Sequence, residues 1–120
     1  MAMKLVVKVI AGADEPERVA QAFSVAATAA ISGVDVSLWL TSEATLFALA
    51  GNCENFVLEH SPPLNELRDT ILAQGKITVC TQCAVRRGIG QEDLIAGITI
   101  AGSASFVSEI MEENVQALVY

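Results

Sequence analysis

Lys76-Ile77-Thr78-Val79-Cys80-Thr81-Gln82-Cys83-Ala84-Val85-Arg86-Arg87-Gly88 holds two structural signals end to end. Lys76–Cys80 is rich in β-branched and apolar residues and is short, as a buried strand is. Thr81–Gly88 reads as a short helix that begins directly off that strand. A strand feeding a helix with no intervening loop is the unit of a parallel α/β sheet.

The same alternation runs outward in both directions. Upstream, Lys4–Ile10 (KLVVKVI) is a nearly continuous apolar strand, and Ala11–Pro16 forms the loop after it. Asp14 is the expected N-cap and Pro16 suits a first helical turn. Val19, Ala22, Phe23, Ala26, Ala29 and Ala30 recur at helical spacing until Gly33. A face so rich in alanine lets a helix lie close against a sheet. Val34–Leu40 (VDVSLWL) alternates, with Val34, Val36, Leu38 and Leu40 on one side and Asp35, Ser37 and Trp39 on the other. That pattern predicts a strand with one more polar face, near an edge. Ser42 is placed to cap a short helix through Ala50, and Asn52–Ser61 has no clear periodicity. Pro62-Pro63 opens a helix with Leu64, Leu67 and Ile71 on one face, ended by Gly75.

Downstream, Gly97–Ala101 (GITIA) is a fourth strand. Ser103 is the expected cap of a helix to about Glu113, with Ala104, Val107, Ile110 and Met111 turned inward. Val115–Tyr120 (VQALVY) closes as a fifth strand. These elements predict a three-layer α/β sandwich around a five-stranded, mostly parallel sheet of flavodoxin-like type, as one domain over residues 1–120. The common order for five such strands is 2-1-3-4-5, which makes the first and third strands neighbours. Cys80, at the end of the third, would then stand at the rim of the crevice outside their carboxyl ends.

Composition narrows the function. The net charge is −7 and the seven basic residues are scattered, apart from Arg86-Arg87, so no nucleic-acid or anionic-membrane footprint is expected. Ala22–Val34 is too short and too interrupted to cross a bilayer. Met1-Ala2-Met3-Lys4 leads straight into the first strand, and no signal peptide is read there. Three cysteines do not make a disulfide framework, which favours a reducing cytoplasm. Apolar residues make up 52% of the chain but aromatics only 5%, leaving surplus aliphatic surface for association with itself or a partner.

The chemistry-bearing residues are Cys80 and Cys83. A thiol reacts as its thiolate, and a helix N-terminus lowers its pKa. Cys83 follows one helical turn later, within reach for disulfide exchange. The pair can be two small buried hydrophobes, a dithiol–disulfide redox pair or peroxide sensor, or part of a metal site. One C-x-x-C with an isolated Cys53 and a lone His60 barely supplies a zinc set, and no metal is expected. Cys53 reads as a packed thiol and His60 as a surface loop residue. Gly88-Ile89-Gly90 lacks the third glycine of a dinucleotide fingerprint. Asp14, Glu15 and Glu17 would repel a flavin phosphate at the first loop, so no cofactor is expected. Trp39 reads as core or subunit interface.

The run C-x-x-C-A-x-R-R-G-I at Cys80–Ile89, preceded by K-I-T-V, resembles the active-cysteine segment of the DsrE/DsrF-like sulfur-relay family. The likeness takes in the opening strand, Gly12–Gly33, Val34–Leu40 and Gly102–Tyr120. The resemblance implies a flavodoxin-like fold without flavin, assembled into trimers or hexamers. In the relay members a cysteine followed six residues later by Arg-Arg-Gly carries sulfur as a persulfide. That match falls on Cys80, with Arg86, Arg87 and Gly88 supporting it. Other members have a further cysteine three residues on, which falls on Cys83. The implied function is a sulfurtransferase-type carrier between sulfur donor and acceptor proteins. The alternatives are a Cys80–Cys83 redox protein and a non-catalytic subunit that only docks a partner.

Overall fold

The structure, a computed structural model, describes residues 3–120; the absence of a leader read at Met1-Ala2 falls partly outside them. Five strands form one wholly parallel sheet: β1 (Lys4–Val9), β2 (Asp35–Leu40), β3 (Lys76–Cys80), β4 (Ile98–Ala101) and β5 (Val115–Val119). The helices are α1 (Pro16–Ile31), α2 (Leu64–Gln74), α3 (Thr81–Arg86) and α4 (Ser103–Ile110). A 3-10 helix over Ser42–Ala48 follows β2, and a second, Gln91–Asp93, precedes β4.

The strand order is β4-β3-β2-β1-β5, not 2-1-3-4-5. β1 lies between β2 and β5, and β3 between β2 and β4. The cause is in the helix faces. α1 and α2 pack against each other, so both lie on one side of the sheet. Right-handed crossovers on one side step the chain the same way twice, which carries β3 beyond β2. The expected order would have needed those two helices on opposite faces. The direction reverses only before β5, so the topological switch lies between β1 and β5, two strands away from Cys80.

Side-chain parity divides the sheet into two unlike faces. Val7, Val9, Val36, Leu38, Leu40, Ile77, Val79 and Ile98 point to one side. They pack with Val19, Ala22, Phe23, Ala26 and Ala30 of α1 and with Leu64 and Ile71 of α2. Small alanines bring α1 close to the strands, and each fully buried aliphatic chain there contributes roughly 1.5–3 kcal/mol. The opposite face carries Lys4, Lys8, Ser37, Trp39, Lys76, Thr78 and Cys80 and is covered only by α4.

That second face overturns two expectations. β2 is the central strand rather than near an edge, and its polar side, Ser37 and Trp39, is buried. Val107 of α4 and Met111 just after it face outward, Met111 being 75% exposed, and Ala104 is exposed at the rim of the cleft beneath the helix, while Glu109 is buried and Phe106 half-buried. Glu109 explains both. Its Oε1 accepts from Ser37 Oγ and Trp39 Nε1, each at 2.8 Å. Its Oε2 meets Lys4 Nζ at 3.0 Å and Lys76 Nζ at 2.9 Å. Burial opposes its ionisation, but the Trp39, Lys76, Ser37 and Lys4 hydrogen bonds outweigh that and hold its pKa at about 2. One carboxylate thus ties α4 across β1, β2 and β3.

Local caps differ from the expected ones as well. Asp14 does not cap α1; its carboxylate accepts the Gly12 N–H at 2.8 Å and shapes the loop, while Glu15 is the N-cap residue. Gly102, not Ser103, is the cap residue of α4, and that helix ends at Ile110. The segment after β2 is a 3-10 helix that stops at Ala48.

Candidate functional site

Cys80 is both the last residue of β3 and the N-cap residue of α3. Its backbone is extended (φ −65°, ψ 130°), and the next residue is already helical. β-branched Ile77, Thr78 and Val79 favour the strand, and nothing between Val79 and Thr81 provides a loop. The thiol is therefore delivered to the amino end of a helix by the strand itself. By strand parity it lies on the α4 side of the sheet, beside Ala101 of β4.

The surroundings favour the anion. Half-burial of the Cys80 thiol opposes ionisation. The Cys83 amide, the Cys83 thiol, the Gln82 amide and the charge of Lys8 together outweigh it and bring the pKa below the ordinary thiol value. In the resting geometry the sulfur closes no full capping hydrogen bond. These donors are thus available to a charge that develops there.

Cys83 is buried and turned toward the chain after β2, where its Sγ accepts the Ser42 N–H at 3.2 Å. Ser42 has φ +52°, and this left-handed turn is what aims its amide at the sulfur. The turn is braced from behind by Gly12. A Cβ on Gly12 would fall 2.7 Å from the Glu43 carbonyl carbon, so only glycine permits that approach.

The two arginines separate. Arg87 is half-buried, donates to the Cys83 carbonyl at 3.2 Å and lies 3.9 Å from a Glu43 oxygen. It closes the C-terminal end of α3. Arg86 is exposed, and Gly88 takes φ +66° to end the helix. Cys53 stands apart, packed in the α1–α2 core. Burial pushes its thiol up to about 11 despite Arg68 nearby, so it is inert at neutral pH. Arg68 in turn holds Glu54 with two hydrogen bonds of 3.2 and 3.0 Å. His60 is an exposed loop residue with φ +61°. Among the described residues, no group of three His, Cys, Asp or Glu could hold a metal ion, and no helix is long and apolar enough to cross a membrane.

Sequence reasoning singled out Cys80, Cys83, Arg86, Arg87 and Gly88, read Ser42 only as a helix cap, and passed over Lys8 and Glu109. Lys4 and Lys8 interrupt an otherwise apolar strand four residues apart, and that period was a legible sign of one polar face. Nothing local marks the Ser42 amide, whose partner lies 41 residues away.

Comparison with known proteins adds the family. The model of the DsrE/DsrF-like family matches residues 3–116. The chain belongs to the DsrE/DsrF-like family. Two uncharacterized archaeal proteins are similar in sequence. MJ0760 of Methanocaldococcus jannaschii is 30% identical over 106 residues, which is 88% of this chain but 38% of that protein. MK0008 of Methanopyrus kandleri is 27% identical over 99 residues, covering 82% and 78% of the two chains. This DsrE/DsrF-like chain thus spans well under half of the first relative. In fold it is similar to the ychN protein of E. coli (TM-score 0.79, 20% identity, 100% of both chains). It is also similar to MTH1491 of Methanobacterium thermoautotrophicum (TM-score 0.68, 15% identity, 98% and 99% of the chains).

Proposed function

We propose that this chain is a sulfur carrier that holds sulfane sulfur as a persulfide on Cys80. The observation that carries the reading is a half-buried thiol with a lowered pKa, set at a strand end and helix start in a DsrE/DsrF-like chain. In loading, the Cys80 thiolate attacks the outer sulfur of a donor persulfide R–S–SH. The new S–S bond forms as the old one breaks, and R–S⁻ leaves. In unloading, an acceptor thiolate attacks the outer sulfur of the Cys80 persulfide and the Cys80 thiolate leaves. A low-pKa thiolate leaves faster, so the groups that steady the Cys80 anion serve both steps. Donor and acceptor are proteins that dock at the α3 end of the sheet, where exposed Arg86 is free to meet an acidic partner. The three free thiols suit a reducing cytoplasm.

Cys83 sets the lifetime of the adduct. Its thiolate can attack the inner sulfur of the Cys80 persulfide, forming a Cys80–Cys83 disulfide and expelling HS⁻. Burial of Cys83 restrains it. Cys83→Ser is expected to load sulfur as the wild type does and to release sulfide several-fold more slowly, measured by sulfide trapping after loading. Equal release rates would show that Cys83 takes no part. Faster disulfide formation than sulfur transfer in the wild type would favour the second reading, a thiol–disulfide redox pair. That reading draws on the same Cys80–Cys83 contact.

The carrier acts as a homo-oligomer, a trimer or hexamer. β5 leaves one edge unpaired, with Leu118 and Val119 exposed, Val119 by 61%, and α4 turns Val107 and Met111 outward nearby in sequence. Light scattering is expected to give a mass of three or six chains, reduced by Met111→Lys with Val119→Lys. A monomeric wild type would contradict this.

A further inference from the structure

The polar face of the sheet carries three lysines, and they are not equivalent. Lys4 and Lys76 are both tied to Glu109. Lys8, between them and Cys80 along the sheet, has no carboxylate or hydrogen-bond partner among the described residues. Its ammonium instead lies over the Phe106 ring, 4.8 Å from the centroid. Phe106 is fixed in turn by an edge-on contact with Trp39, ring centroids 5.3 Å apart. Trp39 is buried and anchored through its N–H to Glu109. A chain of contacts therefore runs from a buried carboxylate through two aromatic rings to a half-buried cation.

That cation lies on the same face of the sheet as Cys80. Register places Lys8 beside Trp39, and Trp39 beside Thr78, one pleat below Cys80 on the same face. Two strand spacings and two residue steps put the backbones roughly 12 Å apart. Trp39 of β2 stands between the two strands on this face, so Lys8 makes no ion pair with the thiolate and acts on it only through its charge across that distance. A ring quadrupole holds an ammonium without neutralising it, so its charge stays available.

The remaining charged and titratable groups around Cys80 are accounted for. α3 contributes the Cys83 thiol, and its far-end Arg87 is bound to the Cys83 carbonyl and lies by Glu43. α4 contributes Glu109, committed to Lys4 and Lys76, and the turn after it contributes Glu112, bonded to Lys4. β2 and β4 contribute no charged side chain to this face beside Cys80. The cleft under α4, about 520 Å³, is lined by Lys4, Lys76, Thr78, Thr99 and Ala101 among others; it reaches the strand neighbour of Cys80 but includes neither Lys8 nor Cys80.

We infer that Lys8, seated on Phe106, is a positioning residue that draws sulfur anions to Cys80 and steadies them as they arrive or leave. The inference rests on Cys80 being the reactive thiol and extends the carrier reading. It selects anionic reactants, persulfide or polysulfide anions, over neutral ones.

Alkylation tests it without requiring a persulfide. Rates for iodoacetate, an anion, and iodoacetamide, neutral and similar in shape, are measured across pH on wild type, Lys8→Gln and Lys8→Arg. Lys8→Gln is expected to lower the iodoacetate-to-iodoacetamide rate ratio at Cys80 by about 2- to 5-fold. It is also expected to move the pH midpoint upward, and Lys8→Arg should restore both. Raising salt should lower the wild-type ratio toward that of Lys8→Gln, a readout that needs no variant to fold. An unchanged ratio and midpoint in folded Lys8→Gln, or a salt-independent wild-type ratio, overturns the inference. Absence of any persulfide on a chain that shows the Lys8 effect would remove the carrier reading alone.

Discussion

Cys80→Ser is expected to abolish the fast phase of thiol alkylation at neutral pH, with Cys53→Ser leaving it unchanged. The three thiols differ in both factors that set reactivity, exposure and thiolate fraction. Cys53 is 1% exposed with its pKa pushed up to about 11, so little thiolate exists at pH 7 and a reagent cannot reach it. Cys83 is buried with its sulfur on the Ser42 amide. Cys80 alone combines access with a lowered pKa. Its alkylation should rise with pH through a midpoint below that of an ordinary thiol. Labelled peptides after a short pulse of iodoacetamide identify the site. Fast labelling that persists in Cys80→Ser would remove Cys80 from the mechanism.

Glu109→Ala is expected to lower stability by about 3 kcal/mol, measured by urea unfolding at neutral pH. The substitution strands the Trp39 N–H and Ser37 hydroxyl in a buried site and unpairs Lys4 and Lys76. The pH dependence of the wild type carries the same signature. The folded-state pKa of about 2 lies below the roughly 4.3 of an unfolded glutamate, so this is a depressed acid. Its contribution is complete above the unfolded value and is lost as pH falls from about 5 toward 2. Glu109→Gln should be less stable than wild type at pH 7 and show a shallower loss over that acid range. Equal stability of wild type and Glu109→Ala at pH 7 would mean the carboxylate is not what fastens α4.

These residues show where the sequence was legible. Lys76–Cys80 announced a buried strand because β-branched residues fit a pleated core, and Thr81–Gly88 announced the helix after it. All five strands and the place of Cys80 at a strand end and helix start followed from such local signals. The strand order did not, because it depends on which face each helix covers, and α1 and α2 carry no local mark of sharing one. α4 misled for a related reason. Its apolar stripe at Ala104, Val107 and Met111 has helical spacing, but the sheet face beneath is polar, and Glu109 pays its desolvation through four donors. A buried carboxylate of that kind is readable only once Lys4, Ser37, Trp39 and Lys76 are brought together from three strands. The Ser42 amide on Cys83 is likewise a product of backbone turning, which side-chain identity does not display.

The most direct test of the carrier account is the intact mass of the protein after incubation with inorganic polysulfide and removal of excess donor. Wild type is predicted to gain the mass of one sulfur atom, removable by dithiothreitol and mapped to the peptide holding Cys80, with no such gain in Cys80→Ser. A wild type that acquires no sulfur, or an adduct that persists in Cys80→Ser, would contradict it.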